Sequence, residues 1–243
     1  MQTVIDNILI NHEILGQKNA NTILILHGWK NSLKNWEGVG KRISVKNKVI
    51  LVDLPGFGNS SIPKNQPFDT YDYAETINKF IEKLNLRDIT LIGHSFGGKI
   101  GTIIASNNPR IKKLILVDNS GITNRSIVTS LKMYLSKITK FFLPKTLSEK
   151  FSNTLSSEDY KNAGNLRESF REIVTQDIRE SAKKIKIPTL IIWGENDKDV
   201  PLSSAKILKK IIPNSTLRIV WRATHHPHLE KPDKFIEIIE EYI

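Results

Sequence analysis

Short runs of consecutive apolar residues recur at 23–26, 48–52, 89–92, 113–117, 189–193 and 216–221, and between them the apolar positions shift to helical spacing at 71–84, 99–107, 203–212 and 233–243. Brief unalternated apolar runs suit strands buried on both faces. Their alternation with amphipathic stretches predicts an α/β fold, a mostly parallel sheet with helices on both sides. Residues 1–16 alternate apolar with polar positions instead, which predicts a β-hairpin and lacks the continuous apolar segment of a secretion signal.

The strand rhythm stops between residues 121 and 182. Ile127, Leu131, Tyr134, Leu135, Ile138, Phe141 and Phe142 recur every three or four residues, with Lys132, Lys137 and Lys140 between them, and a second helix is expected over 165–178 with Arg167, Phe170 and Arg171. The division this predicts is a core formed by 1–120 and 183–243, with 121–182 inserted as a helical lid. The first lid helix either packs on the core or roofs an apolar pocket, whose lining would then include Leu131, Leu135 and Ile138. As a basic amphipathic helix it could alternatively lie on a membrane surface.

Composition narrows the chemistry. With 243 residues and no cysteine, the chain can bury a sizeable core and has no access to disulfides or thiolate chemistry. No apolar run reaches the length of a membrane span, so a cytoplasmic location is the expectation. The formal charge of +11 attracts polyanions in general. Because no nucleic-acid-binding module is present, no specific nucleic-acid partner is expected.

The candidate chemistry centres on Gly93-His94-Ser95-Phe96-Gly97-Gly98, which follows the run 89–92 and precedes a helical stretch. G-x-S-x-G in a strand–turn–helix context is a nucleophile elbow, in which flanking glycines let a strained turn expose the serine. A serine hydroxyl needs a base, and the base needs a carboxylate to orient it. His225, His226 and His228 share one loop after 216–221, and residue chemistry does not choose among them. They lack a companion Cys or acidic pattern for a metal, so no metal site and no cofactor is expected. For the acid, Asp197 follows the run 189–193 and completes the order Ser95, Asp197, His225 suited to such sheets. Asp118 and Asp199 are its rivals. The backbone amides of Trp29 and Phe96 are the natural oxyanion pair, with Gly28 permitting the turn that exposes the first. His27 is expected to hold nearby loop backbone, though it and Gly28 also border the candidate substrate site.

His27-Gly28-Trp29, Asp53-Leu54-Pro55-Gly56-Phe57-Gly58-Asn59-Ser60, the elbow at Ser95, residues 194–201 and residues 224–232 together resemble the α/β-hydrolase superfamily across nearly the whole chain. The resemblance selects the first loop histidine and implies Ser95, Asp197 and His225 as catalytic residues. Thr224 departs from the pattern, which usually has glycine there. Within the superfamily the chain looks like small aryl and alkyl carboxylesterases and like the esterases acting on a pimeloyl-carrier-protein methyl ester. Ester hydrolysis through an acyl-enzyme is the implied reaction, on a small-molecule ester, and the basic lid suits an acidic acyl carrier protein as partner. Carbon–carbon hydrolases of ring-cleavage products rank second, because they usually have Trp where this chain has His226. A receptor on the same fold with slow hydrolysis is the alternative of another class.

Overall fold

Asp6 and Asn7 sit at positive φ, 45° and 65°, the backbone that a two-residue hairpin turn of matching twist requires. They join β1 (Gln2–Ile5) to β2 (Ile8–Leu15), the hairpin expected from the alternating pattern. The computed structural model describes residues 1–64, 67–122 and 166–243. Each apolar run forms a strand: β3 (Thr22–Leu26), β4 (Lys48–Val52), β5 (Ile89–His94), β6 (Ile111–Val117), β7 (Thr189–Gly194) and β8 (Ser215–Val220). They build an eight-stranded sheet in the order β1-β2-β4-β3-β5-β6-β7-β8, parallel from β4 to β8, with β2 antiparallel against β4.

Helices cover both faces, as the alternation predicts. Among the described residues they are, in chain order, α1 (Glu37–Ile43), α2 (Thr70–Lys83), α3 (Phe96–Ala105), α4 (Arg167–Thr175), α5 (Arg179–Lys184), α6 (Leu202–Ile211), α7 (Pro227–Glu230) and α8 (Pro232–Glu240). One apolar layer packs Leu24, Leu91, Leu114 and Ile191 of the sheet against Ile77 and Phe80 of α2, Ile100 and Ile104 of α3, and Leu208 of α6. The other packs Ile25, Leu51, Ile92 and Ile192 against Val39 of α1 and Phe235 and Ile239 of α8. Because successive strand side chains point to opposite faces, adjacent residues such as Leu24 and Ile25 feed different layers.

β3 lies between β4 and β5, so the chain order reverses there. The crevice beyond the carboxyl ends of β3 and β5 is the topological switch point, the usual ligand position in open α/β sheets.

α4 is shorter than the expected 165–178. Gln176 turns extended and uses its side chain elsewhere, donating to Asp69 Oδ2 at 2.7 Å and accepting from the Thr70 amide at 3.0 Å. α5 straddles the expected lid boundary, with Ala182 fully buried in the core. Leu131, Leu135 and Ile138, with the rest of the first expected lid helix, lie outside the described residues. Among the described residues no helix is long and apolar enough to cross a membrane.

Leu91 sits fully buried at the centre of the sheet. Leu91→Ala should cost about 2–5 kcal/mol of stability, seen as a lower denaturant midpoint at unchanged slope. A shift too small to resolve would mean that this layer is not the main core.

Candidate active site

Ser95 occupies φ 49°, ψ −109°, a backbone state that residues other than glycine rarely adopt. Two glycines make the turn possible. A Cβ on Gly93 would come within 2.5 Å of the Gly97 carbonyl oxygen, and one on Gly97 within 2.3 Å of the Leu26 carbonyl oxygen. The Ser95 amide donates to Val117 O at 2.9 Å, and its carbonyl accepts from the amides of Lys99 (3.0 Å) and Ser120 (3.2 Å), so α3 and the end of β6 together pin the turn. Phe96 opens α3 at once, which leaves its amide among those without an intrahelical acceptor.

Beside the elbow, β3 ends in His27-Gly28-Trp29. His27 Nδ1 donates to Gly28 O at 2.7 Å and Nε2 accepts from the Leu54 amide at 3.0 Å, so both ring nitrogens hold backbone. Burial lowers the His27 pKa to about 4. A Cβ on Gly28 would come 2.7 Å from His94 Nδ1, so the absent side chain lets this loop close onto β5. The Trp29 indole packs edge-on against Phe96 (5.4 Å between ring centres) and Phe57 (4.8 Å), and Phe170 of α4 covers it at 5.0 Å. The residues expected to supply the oxyanion amides are therefore held together by their own rings.

The loops after β7 and β8 meet at Asp197 and His225. His225 Nδ1 donates to Asp197 Oδ2 at 2.8 Å, while Oδ1 accepts from the amides of Asp199 (2.8 Å) and Val200 (2.9 Å). Burial opposes the charge on Asp197, but the hydrogen bond and charge of His225, with these amides, outweigh it and hold its pKa below the ordinary range. Asp199 is itself exposed and serves Asp197 only through its backbone.

Asp118, the other rival, is fully buried and also belongs to this cluster. Its Oδ1 accepts from the Gly194 amide at 2.8 Å, and its Oδ2 has no donor. Burial raises the Asp118 pKa to about 10, with the carboxylates of Asp197 and Glu230 adding to the effect. The group is therefore a neutral acid at pH 7. A proton on Asp118 turns the approach of the two carboxyls into a hydrogen bond donated to Asp197, which helps keep Asp197 ionised.

Glu230 organises the histidine loop, accepting from the Thr224 amide (2.7 Å), the Thr224 hydroxyl (2.5 Å) and the His226 amide (3.2 Å). Among the described residues, Ser95 Oγ makes no hydrogen bond to His225. The two segments join one residue earlier, where His94 Nε2 donates to the His225 carbonyl at 2.8 Å. Among the described residues, two groups of donor atoms lie close enough to hold a cation: His94 with His226 and His228, and Asp118 with Asp197 and His225. In the second, Asp197 and His225 are already bonded to each other. The sequence reading missed His94, which occupies the unspecified position of the elbow motif, and it did not foresee that Asp118 and Asp197 would meet.

A family model described as the alpha/beta hydrolase fold matches residues 21–148 and 123–232, and the chain belongs to that family. It is an enzyme of the α/β-hydrolase superfamily whose relatives include esterases and lipases. A pimeloyl-[acyl-carrier protein] methyl ester esterase from Legionella pneumophila (strain Lens) is 28% identical, over 91% of this chain and 94% of its own length. Lipase 1 of Psychrobacter immobilis is also 28% identical, over 90% of this chain and 75% of its own. The structure of an esterase from Exiguobacterium antarcticum superposes with a TM-score of 0.78 at 25% identity, covering 100% of this chain and 99% of that one.

The neutral state of Asp118 has a sign that can be checked. Unfolded, the carboxyl ionises near 3.8, whereas folded it holds its proton to about 10. Between those values the native state binds the extra proton, so this group's contribution to stability falls as pH rises. Asp118→Asn keeps a neutral donor and removes that dependence. Its melting temperature relative to the unsubstituted protein should therefore increase from pH 5 to pH 9, measured by thermal unfolding. A relative melting temperature that stays flat or falls over that range would mean that Asp118 is charged in the fold.

Proposed function

We propose that the protein is a serine hydrolase that cleaves carboxylic esters through an acyl-enzyme, with Ser95 as nucleophile, His225 as base and Asp197 as its orienting acid. The observation that carries this is the 2.8 Å bond from His225 Nδ1 to a charged, amide-held Asp197, in a loop tied to the elbow strand through His94. With Nδ1–H committed to Asp197, the lone pair of His225 is on Nε2, the tautomer needed to accept a proton from Ser95.

Ser95 Oγ attacks the acyl carbonyl as His225 Nε2 takes its proton. The Trp29 and Phe96 amides receive the developing oxyanion. The imidazolium, steadied by Asp197, then protonates the departing alcohol. Water activated by the same imidazole attacks the acyl-enzyme and releases the acid and Ser95. Elbow hydroxyl and imidazole come into hydrogen-bonding reach as substrate binds, since such contacts are often loose in unliganded sites.

The insertion over 121–182 acts as the lid in this reading. Phe170 resting on Trp29 supports it, because α4 then roofs the oxyanion loop directly. An apolar acyl chain between lid and elbow is the substrate class that an aromatic wall of Trp29, Phe57 and Phe170 favours. The net charge of +11 and the carrier-protein esterase relatives support an acidic acyl carrier protein as the group delivering that chain, in the cytoplasm.

A fluorophosphonate should label Ser95, located by mass spectrometry, and p-nitrophenyl esters from acetate to decanoate should be hydrolysed. Ser95→Ala should abolish both with the fold intact by circular dichroism, and Asp197→Asn should lower kcat by roughly 10⁴-fold through the wrong imidazole tautomer. Labelling elsewhere, or ester turnover that survives Ser95→Ala, would overturn the assignment.

A further inference from the structure

Four imidazoles gather behind the elbow, and in the hydrolytic reading only His225 is a reacting group. His94 and His228 are buried, at 0% and 1% exposure, and His226 is half-buried beside them. His94 Nδ1, His226 Nδ1 and both nitrogens of His228 have no hydrogen-bond partner. Buried polar atoms are ordinarily paired, so four orphaned imidazole nitrogens in one place call for an explanation. Packing accounts for the His228 ring, which stacks on Trp36 at 4.1 Å and 5°, but stacking satisfies neither of its nitrogens.

We infer that His94, His226 and His228 form a binding site for a borderline divalent transition-metal ion, Zn²⁺ being the type case, that clamps the loop carrying His225 to the strand carrying Ser95. One nitrogen from each residue lies within 4.8 Å of the other two. Three imidazoles around one tetrahedral ion, with Zn–N bonds of about 2.0–2.1 Å, place their ring centres about 5 Å apart. The observed separations are 4.9 Å for His94–His228, 5.0 Å for His94–His226 and 5.8 Å for His226–His228. Ligation requires the nitrogens to turn inward from there, and His226, the least buried ring, gives the ion its way in.

The chemistry of the donor set agrees. An all-imidazole set selects zinc, copper, nickel or cobalt over the oxygen-seeking magnesium and calcium. His94 also carries the outer support common to metal-binding histidines, a ring N–H donated to a backbone carbonyl, here that of His225. The loop histidines by themselves give no metal pattern; His94, supplied by a distant part of the chain, completes it.

The test uses untagged full-length protein stripped with a chelator, titrated with Zn²⁺ by calorimetry and with Co²⁺ by visible absorption. The expected result is one ion per chain, the intense visible bands of four-coordinate Co²⁺, and a melting temperature raised by Zn²⁺. His226→Ala, which least disturbs the packing, should weaken binding at least about tenfold. His228→Asn should do the same, with folding of both variants checked by circular dichroism. His225→Ala should still bind the ion, which separates this site from the Asp197–His225 pair and makes the result independent of hydrolysis. Absence of stoichiometric binding, affinity unchanged in His226→Ala, or loss of binding in His225→Ala alone would overturn the proposal.

Discussion

The close backbone approach at the elbow governs everything placed around it. A serine at φ 49° stores about 1–3 kcal/mol of strain, which persists only where its surroundings over-determine it. Here they do. The bonds of the Ser95 amide to Val117 and of the Ser95 carbonyl to Lys99 and Ser120 fix the turn from the end of β6 and from α3. Gly93 and Gly97, lacking Cβ atoms, let β3, β5 and α3 close to backbone contact. That closeness puts the loop after β3 against the first turn of α3, which is why Trp29 and Phe96 face each other. A side chain at either glycine would separate strand from helix and move both candidate oxyanion amides together.

Electrostatics at the site follow from how few of its carboxyls carry charge. Two buried carboxyls and four imidazoles share a small volume, yet the neutral state of Asp118 leaves Asp197 as the one buried carboxylate among them. Two ionised carboxyls at that distance would repel each other and raise one another's pKa. Keeping Asp118 protonated turns a rival charge into a donor, so Asp197 gains a hydrogen bond in place of a repulsion.

Strands were legible wherever both faces are buried, because runs such as Ile23-Leu24-Ile25-Leu26 carry no competing period. At the sheet edge the signal blurred. β8 is largely exposed and stops at Val220, and Trp221 lies outside it, 74% exposed, since Arg222 turns to φ 57°. α1 was not anticipated because Gly38 and Gly40 interrupt its apolar pattern. Gly40 is there for packing, its missing side chain making room for Leu51 and Leu15. The elbow and the loops of Asp197 and His225 were legible as motifs. His94 joining the loop histidines and Asp118 meeting Asp197 were not, because each depends on contacts between segments far apart in the chain.

Thr224 shows how such contacts decide what a motif position tolerates. A glycine is required at a loop position when φ is positive or when another backbone comes too close. At this loop the crowding falls on the partner, since a Cβ on Gly194 would come 1.9 Å from the Thr224 carbonyl oxygen. The glycine that lets β7 touch the histidine loop is therefore Gly194, which frees position 224 to carry a side chain. That side chain is used, its hydroxyl joining two amides on Glu230 to brace the loop from outside, while His94 holds the His225 carbonyl from inside. With both sides fixed, the imidazole of His225 keeps its direction toward Asp197 without the glycine usual in the family, and the departure stiffens the loop rather than displacing it.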